Sequence, residues 1–147
     1  MSESIIAIKT FDFAVDIVNL YRELVKTKKD FVLSKQLLRS GTSIGANVSE
    51  ALKGQSKKDF LAKMYIALKE ANETDYWIRL LIKTNYLDEK LGESLSIQCE
   101  EIRKILNSIT KTVSDKLYNK QSNWNKLHTP HFALQTNKNG GIIWINF

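Results

Sequence analysis

Gln36-Leu37-Leu38-Arg39-Ser40-Gly41-Thr42-Ser43-Ile44-Gly45-Ala46-Asn47-Val48-Ser49-Glu50-Ala51 is the stretch whose reading decides the fold. Taken with its flanks from Phe31 to Lys53, it sets Leu33, Leu37, Ile44, Val48 and Ala51 on one face at steps that fit a 3.6-residue turn. Beside that face run Gln36, Ser40, Ser43, Asn47 and Glu50, stepping by four and three. A polar stripe that keeps the period of an apolar one predicts side chains turned toward another helix, where each buried polar group needs a partner. Asn47 and Glu50 are therefore expected to be largely buried. Arg39, Ser43, Asn47, Glu50, Glu70 and Glu73 are expected to form a structural network that fixes helix register or a subunit contact. Gly41 and Gly45 cost about 1 kcal/mol each in helix propensity relative to alanine. Four residues apart, they lie on one side of the helix and predict close approach of another backbone.

Working outward, the same period appears three more times. From Thr10 to Lys26 one stripe is Phe11, Ala14, Val18, Tyr21, Val25, and a second is Phe13, Ile17, Leu20, Leu24. Two adjacent stripes exceed what one core seam needs. The polar run Thr27-Lys28-Lys29-Asp30 reads as the first loop, and Gly54 as a left-handed stop to the second helix. Ser56 is a predicted N-cap, with Asp59 in the first turn. Phe60, Met64, Ala67, Ala71, Thr74, Ile78 and Leu81 follow in strict three-four alternation, and Leu61, Tyr65, Leu68 and Ile82 widen that face. Asp88 predicts the last N-cap, before Leu91, Leu95, Ile102, Leu106, Ile109, Val113 and Leu117. Four long helices with short connections predict an all-α, antiparallel up-down-up-down bundle over residues 1–120. Residues 121–147 lose the period and predict an irregular C-terminal tail, in which Ile142-Ile143-Trp144-Ile145 reads as a short strand or an extended end.

Chemistry is sparse. The only histidines, His128 and His131, lie in the tail, so the bundle holds neither a histidine base for a nucleophile nor the Glu-x-x-His pairs of a di-iron site. Gly41-Thr42-Ser43-Ile44-Gly45 lacks the strand before it and the Gly-Lys-Ser/Thr ending of a phosphate loop. Cys99 is the sole cysteine and reads as a small core hydrophobe. No catalytic residue, metal site or cofactor is expected. Neither a signal peptide nor a membrane span is expected, and the compartment is read as cytoplasmic.

Charge is the remaining signal. Lysine and arginine number 22 against 16 acidic residues, a net charge of +6. An up-down bundle gathers Lys53, Lys57, Lys58, Lys111, Lys116 and Lys120 at one end, which predicts an anionic partner, RNA or DNA. Lysines at helix ends also serve solubility alone, and that reading stays open.

The run from Gln36 to Ala51, with its Arg-Ser-x-x-Ser-Ile-x-x-Asn-x-x-Glu spacing, resembles the four-helix bundle proteins encoded in 23S rRNA intervening sequences. Asp59-Phe60 and Lys69-Glu70-Ala71-Asn72-Glu73-Thr74-Asp75-Tyr76-Trp77 are similar to that family's third helix, and Phe13-Ala14-Val15 to its first. The resemblance spans residues 10–118 and stops before the tail. It implies a non-enzymatic bundle assembled as a homopentameric ring. It also implies kinship with the accessory proteins of diversity-generating retroelements, whose partners are nucleic acid and a reverse transcriptase. On that footing the extra apolar stripes of the first and third helices become subunit-facing surface. The alternative is a scaffold that binds another protein and has no nucleic-acid role.

Overall fold

The computed structural model describes residues 4–29, 31–128, 132–136 and 142–146, with side chains described through residue 119. Four helices follow one another: α1 (Ile5–Lys28), α2 (Val32–Leu52), α3 (Lys57–Lys83) and α4 (Glu89–His128). The chain divides into two units, Met1–Ser114 and Asp115–Phe147.

In the first unit two of the helix starts are fixed by the expected caps. Ser56 Oγ accepts the Asp59 N–H at 3.1 Å, and Asp88 Oδ1 accepts the Leu91 N–H at 3.1 Å. Each cap satisfies a donor that the first turn would otherwise leave orphaned. The left-handed positions fall elsewhere than expected: Lys29 (φ 52°) closes α1 and Asn85 (φ 58°) turns the chain toward α4. Gly54 is not left-handed. It is glycine because an added Cβ would stand 2.8 Å from Asp59 Oδ2 and 3.0 Å from the Ala51 carbonyl oxygen.

Cross-helix contacts run in opposite directions along every neighbouring pair. Gly41 meets Ile17 and Gly45 meets Thr10 between α2 and α1. Arg39 meets Glu70, and Glu50 meets Lys63, between α2 and α3. Cys99 Sγ donates to the Ala71 carbonyl at 3.3 Å and Gly92 faces Ile82 between α4 and α3. Lys9 pairs with Glu101, and Gln98 Nε2 donates to Asp16, between α4 and α1. Four helices, each antiparallel to the two beside it, make the up-down-up-down bundle that the periodicity predicts.

Phe13, Ile17, Leu37, Ile44, Val48, Met64, Ala71, Ile78, Cys99, Ile102 and Leu106 fill the axis and are almost wholly buried. Of the two α1 stripes, only Phe13, Ile17, Leu20 and Leu24 face this core. Phe11 and Val18, from the other stripe, are exposed. A helix with two adjacent apolar stripes can turn only one of them squarely to its own bundle, so Phe11 and Val18 are left outside while Ala14, Tyr21 and Val25 are half-buried at the edge. On α3 the outcome reverses: Leu68 and Ile82 pack against the core, while Tyr65 stays exposed.

The second unit is more regular than an irregular tail. Helix α4 continues to His128, because residues 121–127 include nothing that stops a helix before Pro130 disfavours it. Strands β1 (Phe132–Thr136) and β2 (Ile142–Asn146) then pair antiparallel, with Leu134 opposite Trp144. The extended reading of residues 142–145 thus holds, with a partner strand the composition did not announce. The glycines at 140 and 141 lie outside the described residues, as do Asp30 of the expected first loop, Pro130 and His131.

Candidate nucleic-acid interface

The turn between α2 and α3 is short and heavily bonded. The Lys53 N–H donates to the Glu50 carbonyl at 3.1 Å, Gly54 N–H to Ala51 at 3.0 Å, and Phe60 N–H to Ser56 at 2.9 Å. Lys53 is the C-cap of α2, while Lys57 and Lys58 open α3. All three side chains are exposed, as is Lys111. The antiparallel run of α4 against α3, with Cys99 level with Ala71, carries Lys111 toward the N-terminus of α3. These four lysines therefore share one end of the bundle. None of the four forms an ion pair among the described residues. Exposed Asp59 is set among them. Lys116 is exposed and Lys120 lies on α4, both in the second unit; the side chain of Lys120 is outside the described ones.

The expected polar network of Arg39, Ser43, Asn47, Glu50, Glu70 and Glu73 is divided into three pieces. Arg39 reaches across to α3, where its guanidinium bonds Glu73 and stands 3.5 Å from Glu70. That hydrogen bond, followed by one from Trp77 Nε1 at 3.2 Å, holds the Glu73 carboxyl below its ordinary range, and Glu73 raises Arg39 in turn. Asn47 is half-buried, and its Nδ2 donates at 2.9 Å to the carbonyl of Ser43 within the same helix. Glu50 departs from the expected burial: its side chain is 60% exposed and pairs with Lys63 at 2.6 Å, raising that lysine. Near the end of a helix, at the rim of the α2–α3 seam, a carboxylate finds solvent and a lysine instead of a buried partner.

Sequence reasoning missed Trp77, although its four-residue offset from Glu73 is the spacing that brings two helical side chains together. It also missed a second knot, in which Arg103 Nε donates at 2.8 Å to Asn72 Oδ1 and Arg79 pairs with Asp75 at 3.0 Å. Two grooves accompany these features. One of about 510 Å³ runs between α1 and α2 past Phe11, Gly45, Leu52 and Lys53. A larger one, about 810 Å³, lies at the far end beneath the α3–α4 turn, where Glu23, Asp88 and Glu89 offset Lys28 and Lys83. Among the described residues no three acidic, histidine or cysteine side chains converge as a metal ion would require. No helix among them is long and apolar enough to cross a membrane.

Comparison with known proteins places this geometry in a lineage. The family model described as 23S rRNA-intervening sequence protein matches residues 2–108. A crystal structure of a protein of unknown function, from the S23 ribosomal protein family of Bacteroides thetaiotaomicron, matches with 55% sequence identity and a TM-score of 0.72. The match covers 73% of this chain and 99% of that one. No curated protein matches.

Proposed function

Because the chain belongs to the 23S rRNA-intervening sequence protein family, we propose that it is a non-enzymatic, cytoplasmic adaptor that self-associates and binds RNA or DNA through its clustered lysines. The observation that carries this reading is the end of the bundle where Lys53, Lys57, Lys58 and Lys111 stand exposed and without ion pairs among the described residues. Phosphates neutralised by such lysines release their counterions, which gives affinity without sequence preference. Assembly into a ring, as the family resemblance implies for five copies, would repeat the patch and sum weak contacts into useful avidity.

The test is a titration of labelled RNA and DNA at two salt concentrations, with wild type and a Lys53→Glu/Lys57→Glu/Lys58→Glu variant. Wild type should bind at low salt with a slope of about 0.9 per phosphate neutralised on duplex DNA, and the variant should lose most of that binding. A second reading is favoured by a specific observation, the apolar outer face of α1, with Phe11 69% exposed. It makes the chain a scaffold for another polypeptide, a reverse transcriptase among the candidates, with incidental charge. Absence of nucleic-acid binding by wild type at low salt would establish that reading over the first.

A further inference from the structure

The outside of α3 carries a pattern that the lysine end does not exhaust. Opposite its core-facing residues Ala67, Ala71 and Ile78, the helix presents Lys58, Tyr65, Lys69, Tyr76, Arg79 and Lys83, all exposed. The intervening positions of the same stripe are Ala62 and Asn72. Steps of four and three keep these residues on one side of the helix, and none of them is acidic. At about 1.5 Å per residue, Lys58 and Lys83 stand about 37 Å apart along the axis, with the two tyrosines about 16 Å apart between them.

Of the carboxylates that border this face, Glu73 and Asp75 are already engaged, while exposed Asp59 offsets part of the charge at its Lys58 end. Glu73 is bonded to Arg39 and to Trp77. Asp75 is bonded to Arg79 and lies 3.9 Å from Arg103. Lys58, Lys69 and Lys83 have no ion pair among the described residues. The face therefore keeps a net positive charge, and the guanidiniums of Arg39 and Arg103 lie along its two flanks. Two tyrosine rings stand between these cations, and one of them, Tyr76, is held in place. Tyr65 is 47% exposed and Tyr76 52%. Trp77, half-buried and tied to Glu73, braces the Tyr76 ring edge-on with centroids 5.2 Å apart. A braced, half-exposed ring loses little freedom when a flat partner stacks on it.

We propose that the outer face of α3 is a track for single-stranded nucleic acid, with unpaired bases stacking on Tyr65 and Tyr76 and phosphates held by Lys58, Lys69, Arg79 and Lys83. The proposal rests on the nucleic-acid reading and deepens it, since it begins at Lys58 in the lysine end and selects single strands over duplex. In a duplex the base faces are covered by their neighbours, so the rings have nothing to stack on. Aromatic rings spaced between cations are the means by which non-specific single-strand binders hold their ligand.

Full-length protein should be titrated at low salt with fluorescent oligonucleotides of about 20 nucleotides, U-rich RNA and T-rich DNA, and with a duplex of equal length, a span suited to such sites. Wild type should prefer the single strands. Tyr65→Ala/Tyr76→Ala should weaken single-strand binding by about tenfold or more per ring while leaving duplex binding within about twofold. Tyr65→Phe/Tyr76→Phe keeps both ring faces and should restore the preference. Circular dichroism on each variant guards against loss of the Tyr76–Trp77 contact being read as loss of a ligand. Unchanged single-strand binding in the folded alanine variant would overturn the track. If the Lys53→Glu/Lys57→Glu/Lys58→Glu protein still loses binding in that case, the lysine reading survives alone. A drop in oligomeric mass caused by the alanine variant would also overturn the track, by assigning the tyrosines to a subunit contact. Failure of wild type to bind any oligonucleotide would remove both readings together.

Discussion

At Gly41 the α2 backbone lies so near α1 that an added Cβ would stand 2.9 Å from Ile17 Cγ1 and 3.0 Å from Cγ2. Ile17 is fully buried, and the atoms in the way are those next to its own backbone, so it has no free end to swing aside. Alanine would gain about 1 kcal/mol of helix propensity and would meet an overpacking cost of about 1–3 kcal/mol. Gly41→Ala should therefore lower stability by about 1 kcal/mol, read as an earlier urea midpoint with an unchanged slope; a later midpoint would refute the close packing. Cys99 gives a different kind of prediction. Burial pushes its thiol up to about 12 from an ordinary value of 9.0, with its Sγ–H directed at the Ala71 carbonyl. The sign follows from linkage: unfolded chains ionise near the ordinary value while folded chains stay neutral. The contribution is thus complete below about pH 9 and lost as pH rises toward 12. Comparing wild type with Cys99→Ala, the gap in unfolding free energy should shrink by about 1 kcal/mol between pH 8 and pH 10. A gap constant with pH would show the thiol to be solvated.

At the scale of elements, what was legible depended on whether a residue's environment is set by its own helix or by the sum of its neighbours. The α2 and α3 faces could be read directly, because Leu37, Ile44 and Val48, and likewise Met64, Ala67, Ala71 and Ile78, are apolar on one sector and bordered by polar positions. The caps at Ser56 and Asp88 were equally legible, since a cap is a local bond. Helix α1 was not, because Phe11 and Phe13 are indistinguishable by type and only the position of three other helices decides which is buried. Gly54 was misread for a related reason: a left-handed stop and a close approach both select glycine, and only the fold brings Asp59 Oδ2 to its side. The candidate site was half legible. The nearness of Lys53, Lys57, Lys58 and Lys111 follows from topology, whereas Arg39, Glu70 and Glu73, expected as partners of the α2 stripe, bond to one another instead. Glu50 was misplaced because the seven-residue stripe of α2 persists to the end of the helix, whereas the cover over it does not. The basic and aromatic face of α3 needed the structure, for Tyr65 reads by its spacing as a widening of the core face, yet it is exposed.

For the whole molecule, the apolar outside of α1 is the feature that a lone bundle leaves unexplained. Ile8, Phe11, Val15 and Val18 are all exposed, at spacings of three, four and three that set them in one seam opposite the buried Phe13 and Ile17. Fully burying side chains of this size is worth about 1.5–3 kcal/mol each, and four of them together can outweigh the several kcal/mol that association costs. The flanking groove past Phe11 and Leu52 adds shape into which a neighbour's side chains can fit. We therefore expect copies to associate through this face. The chain has a mass of 16.9 kDa, so a closed ring of five would weigh about 85 kDa by light scattering. Phe11→Glu/Val15→Asp places two charges where apolar contact is expected and leaves the core stripe untouched, so it should reduce the mass toward that of one chain without unfolding the helices. The wild-type melting temperature should rise with protein concentration, and that of the variant should not. Separated copies should also bind nucleic acid with a shallower salt dependence, because fewer lysines meet one ligand. Wild type running as a clean monomer at micromolar concentration would end the self-association reading and hand the α1 face to a different polypeptide.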